Sequence, residues 1–123
     1  MLAFVLADAV YQDRESGKYV IAGTFSRLVA GPLPRALDRT VAIYSSLTGV
    51  VGVVRVELQY ETEAGESLAR SSPLTVTCTD ARAVIELGVP VPSLPLPAAG
   101  AYRMVLLVDD QRLATLPLDV SDR

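Results

Sequence analysis

The stretch GAYRMVLLVDDQRLATLPLDV, residues 100–120, decides the fold. Successive residues of a strand point to opposite sides, so Tyr102, Met104, Leu106 and Val108 share one face. Ala101, Arg103, Val105 and Leu107 share the other. Asp109-Asp110 follows at once, and aspartate suits a tight turn because its carboxylate bonds nearby backbone and it tolerates left-handed geometry. Arg112 to Val120 then returns as a second strand, which makes the stretch a β-hairpin. Its entrance, Gly100-Ala101-Tyr102, has the form of a tyrosine corner, in which a phenol at the start of a late strand bonds backward to main chain. Burial of Tyr102 in the core without that bond is the plainer alternative.

Upstream of the hairpin, GVPVPSLPLPAAG carries Pro90, Pro92, Pro95 and Pro97. Proline cannot donate to a central ladder, so an edge strand or polyproline II path crossing between sheets is expected here. Before it, Ala83, Ile85 and Leu87 alternate with Arg82, Val84 and Glu86. Residues 67–79 read as a strand broken at Pro73, with Leu74, Val76 and Cys78 facing in. The cleanest alternation is in residues 54–61, where Val54, Val56, Leu58 and Tyr60 face inward and Arg55, Glu57, Gln59 and Glu61 face water. Gly65 lies where the following turn requires a left-handed residue.

The N-terminal half follows the same grammar. Leu2 to Val10 is apolar on both sides, with Leu2, Phe4 and Leu6 against Ala3, Val5 and Ala7, and such a strand is covered on both. A polar turn at residues 12–17 leads into a second strand, Lys18 to Phe25. Gly23 inside that strand marks a bulge or a close backbone approach. Asp8, in register with Phe4 and Leu6, needs an arginine or backbone amides if it turns inward. Ser26 to Leu37, with Pro32 and Pro34, reads as a loop, and a third strand lies within Asp38 to Leu47. No window longer than ten residues holds the helical period free of proline or glycine. The expected architecture is all-β: one domain over residues 1–123, an antiparallel two-layer β-sandwich of about eight strands, immunoglobulin-like, with no substantial helix.

Composition narrows the chemistry. The formal net charge is −3, with 14 acidic and 11 basic residues interspersed, so no basic patch points to nucleic acid or an anionic membrane as partner. There is no histidine, which removes the commonest general base and the commonest transition-metal ligand. The single Cys78 excludes an internal disulfide framework and has no histidine to activate it, so it reads as a buried structural thiol. The apolar N-terminus lacks a basic n-region and is interrupted by Asp8, and a cytoplasmic protein is expected. Asp109 and Asp110, together with Asp13 and Glu15, could gather around Ca²⁺ only if their turns lay at one end of the molecule. Solvated turn residues are the simpler reading, and no cofactor or metal is expected.

Together, the N-terminal strand with Asp8, the hairpin into Lys18, the Gly23-Thr24-Phe25 segment, the Pro34 loop and LPLPAAGAYRMVLLVDDQRLATLPLDV resemble a small bacterial β-sandwich family catalogued as a domain of unknown function. The resemblance covers essentially the whole chain. It implies the fold and carries no activity.

Val105 and Leu107, like Val5, are apolar on the side of their strands that should meet water in a two-layer sandwich. The expectation is that another copy or another protein subunit covers them, making Val5, Val105 and Leu107 interface residues of a non-enzymatic interaction module. Asp8, Gly23, Tyr102, Asp109 and Asp110 are assigned structural roles. A small-ligand or carbohydrate-binding domain using Tyr11, Tyr19, Tyr44 and Tyr60 is the alternative.

Overall fold

The computed structural model describes residues 3–122; the expected start of the first strand at Leu2 lies outside them. Among the described residues there are strands and no helix. One sheet has the order β2-β1-β5-β9, from β1 (Ala3–Gln12), β2 (Tyr19–Thr24), β5 (Val41–Leu47) and β9 (Ile85–Val91). The other runs β3-β12-β11-β6-β7, from β3 (Arg27–Val29), β6 (Gly52–Thr62), β7 (Ser67–Arg70), β11 (Gly100–Val108) and β12 (Gln111–Ser121). There β8 (Leu74–Cys78) also pairs with β6. A two-stranded patch joins β4 (Arg35–Ala36) to β10 (Pro95–Leu96).

Every pairing is antiparallel except β12 with β3. That parallel pair and the Arg35–Ala36 bridge lie inside the segment expected to be loop. Both are very short, below the length at which alternation can be recognised in sequence.

The core lies between the two sheets. Leu6, Val41, Ile43 and Leu47 from one meet Leu58, Met104, Leu106 and Leu118 from the other, all under 7% exposed. Burying each such side chain stabilises the fold by roughly 1.5 to 3 kcal/mol. The hairpin of residues 100–120 forms as its sequence demands. Asp109 and Asp110 both take positive φ, 49° and 65°, as a two-residue turn matched to strand twist requires.

The long strand β6 has two successive partners on its outer side. β8 pairs with Gly52–Val56 and β7 with Gln59–Glu61. Pro73 interrupts the ladder, and Ser71 bridges the gap: its Oγ accepts from the Leu58 N–H at 2.8 Å while its own N–H donates to the Leu58 carbonyl at 2.8 Å. The edge of this sheet is therefore notched at residues 71–73.

Candidate functional site

Three surfaces bear on function: the outer face of each sheet and the seam between them. On the outer face of β6, β11 and β12, Val105 is 0% and Leu107 5% exposed within this one chain. The expectation that a second chain must cover them is therefore corrected. Charged side chains of neighbouring strands cover them instead. Glu61, opposite Arg103, is itself 0% exposed. Its two carboxylate oxygens accept from Arg103 Nη2 at 2.8 Å, Arg112 Nη2 at 2.6 Å and Gln59 Nε2 at 2.9 Å. Arg112 pairs with Leu107, yet reaches Glu61 opposite Arg103, so its stem spans the interval occupied by Val105. Arginine stems cover apolar surface while their guanidinium groups stay wet.

The lattice continues along β6. Glu57 accepts from Arg70 Nε at 2.6 Å and faces Arg55 Nε at 3.4 Å, and Asp110 joins Arg55 at 2.9 Å and Arg70 at 3.0 Å. The hydrogen bond from Arg112 holds the Glu61 carboxyl below the usual carboxylate range against the opposing effect of burial. Glu57 and Glu61 were expected to face water. They do lie on the outer face, but four arginines, Arg55, Arg70, Arg103 and Arg112, close over them. The signal was present in part, since alternate acids on one strand lay ready for cross-strand arginines. Pairing Arg70 and Arg112 with them required the strand order.

The outer face of β1, β5 and β9 is covered differently. β1 pairs with β5 only as far as Ala7, and from Ala9 to Gln12 it pairs with β2 alone. This free part of the hairpin lies back across the sheet. The Tyr19 ring packs on Tyr44 with centroids 5.6 Å apart, and its hydroxyl donates to the Glu86 carbonyl at 3.4 Å. Tyr44 donates to the Glu86 carboxylate, a bond that raises the pKa of the phenol. Val5 is half-buried on this face. Gly23 has φ +72°, and a Cβ there would lie 2.3 Å from Asp8 Oδ2, so it is a close approach at a bend. Asp8 does not turn into the core: it is exposed and accepts from Arg39 Nη1 at 2.6 Å.

The seam between β9 and the notched edge of β7 and β8 is open. Two adjoining grooves, about 170 and 430 Å³, share Leu58, Ser71, Val89 and Pro90 in their walls. Leu74 pairs with Val56, a core residue, yet is 44% exposed because the sheets part here. Among the described residues, β9 has a strand partner on one side only, and so does β8.

The remaining candidates have local roles. The Tyr102 phenol donates to the Ala98 carbonyl at 2.6 Å and accepts from the Ala98 N–H at 3.2 Å, the geometry of a tyrosine corner. Its ring stacks on Tyr60. Tyr60 is 2% exposed, and burial pushes its phenol pKa up. Asp109 accepts from the Arg55 N–H at 2.9 Å, prolonging the β6 ladder into the turn. Asp13 accepts from the Ser16 hydroxyl and amide, and the hydroxyl bond holds its pKa down. The acidic turns thus have separate partners, and no cluster of metal-ligating side chains occurs among the described residues. Cys78, expected to be buried, is only half-buried, at the end of β8, and its thiol lies 3.2 Å from the Asp80 carbonyl. The four tyrosines proposed as a platform do not come together: Tyr11 is exposed, Tyr19 covers Tyr44, and Tyr60 is in the core. No helix among the described residues is long and apolar enough to cross a membrane.

These features define the class, an all-β domain built from antiparallel sheets around one core. Residues 2–121 match the model of a family of unknown function, DUF6941, and the chain belongs to that family. No curated protein matches the sequence.

Proposed function

We propose that this is a non-catalytic interaction module, an immunoglobulin-like β-sandwich of the cytoplasm, and that its contact surface is the open seam between β9 and β8. One observation carries the reading: Leu74, on a core-facing position, is 44% exposed beside a groove with a singly paired strand on each side. Backbone groups at a free edge favour a partner that is itself an extended polypeptide, and an apolar floor accepts its alternate side chains. The occupant is therefore an extended segment of another protein. The absence of histidine and the pairing of Glu57, Glu61 and Asp110 with arginines support a non-catalytic role. The single Cys78, a free thiol, suits a reducing compartment.

The test is selection of peptides from a random displayed library against the full chain, followed by methyl NMR. Selected peptides should shift the Leu74 and Val89 methyl signals, and Leu74→Glu should weaken them at least about tenfold. Peptides that bind elsewhere, or that bind the variant equally well, would overturn the proposal. Self-association abolished by Leu74→Glu would make a second copy the occupant and overturn the assignment to another protein.

A further inference from the structure

Two glycines, Gly23 in the hairpin and Gly88 in β9, lie where the hairpin bends and where it rests on the sheet. Gly88 sits in the middle of β9, outside the left-handed region, so its backbone conformation does not require glycine. Glycine within a strand weakens it and commonly marks the close approach of something else. Here that something is the hairpin: a Cβ at Gly88 would stand 3.0 Å from Val10 Cγ1 and 3.3 Å from Tyr19 Cε1. Gly23 marks the bend, where the left-handed φ of +72° strains any other residue and a Cβ would force the Asp8 side chain to move.

We propose that Ala9–Gln12 and Tyr19–Ala22 form a strap that closes over the outer face of β5 and β9, with Gly23 as its elbow and Gly88 as its seat. The strap is thinly held. Beyond Ala7 it has lost its ladder to β5, and most of its residues are exposed. Val10 against Gly88, the Tyr19 ring on Tyr44 and one long hydrogen bond to Glu86 fasten it. Elements with few buried contacts open locally at a lower free energy than the core. Opening uncovers Tyr44, 9% exposed when the strap is closed, together with Gly88 and the Glu86 carboxylate to which Tyr44 donates. The strap thus governs access to the Tyr44–Glu86 pair on the outer face of its sheet.

Amide hydrogen exchange of the full chain tests this. In the natural protein, amides of residues 9–12 and 19–22 should exchange at least about tenfold faster than those of Met104–Leu107. Gly88→Val adds a side chain that a strand accepts but the strap cannot. It should speed exchange of the strap amides about tenfold further while leaving Met104–Leu107 unchanged. If that variant does not fold, Tyr19→Ala removes the fastening from the strap side and should act on the same amides. Strap amides that exchange together with β11, or a variant that accelerates both regions equally, would overturn the proposal.

Discussion

The two outer faces of this molecule meet the same difficulty and answer it differently. On the β6–β11–β12 face, Val105 and Leu107 are covered by side chains standing on neighbouring strands of the same sheet, which converge on Glu57 and Glu61. On the β1–β5–β9 face, Tyr44 is covered by the Tyr19 ring, which a hairpin carries back over the sheet from its own edge. The first cover is electrostatic and anchored at many points along the ladder. The second is apolar, anchored at one bend and a few contacts. An apolar outer position therefore does not demand a second chain. It demands a cover, and long side chains or a folded-back hairpin serve as well as a partner does.

The difference is open to measurement, beginning where the effect is largest. Glu61→Ala should destabilise the fold by about 3 kcal/mol in urea denaturation, because it leaves Arg103 and Arg112 facing each other over apolar surface. The partial exposure of both guanidinium groups sets the effect at the lower end of the range for a broken buried pair. An effect near zero would mean that the arginine stems alone form the cover.

Acid should find the same site. The folded-state pKa of Glu61 is depressed, so its contribution is complete above the unfolded value, about 4.3, and is lost as pH falls through the folded value. The stability gap between the natural protein and Glu61→Gln should accordingly hold from neutral pH to about pH 5 and shrink below it. A gap independent of pH would assign the role of Glu61 to packing instead of charge.

The smallest effect belongs to the other face. Tyr19→Ala should cost about 1 kcal/mol, the scale of one aromatic pair at a partly exposed site, and should not depend on salt. Molar salt should weaken the exposed pairs around Asp110 and leave the Tyr19 contact unchanged. Equal salt sensitivity of the two faces would remove the contrast between them.

Much of the ladder could be read from residue types. Alternation in residues 54–61 and 102–108 assigned Leu58, Tyr60, Met104 and Leu106 to the core, because period-two patterning is a local property of a strand. Pro73 and Pro90 marked a broken strand and an edge for an equally local reason, the missing N–H. Tyr102 reached back only four residues to its hydrogen-bond partner, a distance within sequence reach. Far less of the surfaces was legible. Arg112 and Glu61 are 51 residues apart, Arg70 and Asp110 are 40 apart, and no local pattern joins them. Leu74 looked like a core residue and is one by direction, but its exposure depends on how far β8 and β9 stand apart.

By itself the sequence determined that the chain is all-β, which side of each long strand meets the core, and where turns and breaks fall, because propensity, alternation and proline chemistry act over a few residues. Only the tertiary structure decided what covers the other side. Whether Val105 lies under arginines or under a neighbour, and whether Gly88 is a flaw in a strand or a seat for a strap, depends on which strands become adjacent. That adjacency is set by packing of the whole core and is written in no single stretch of the chain.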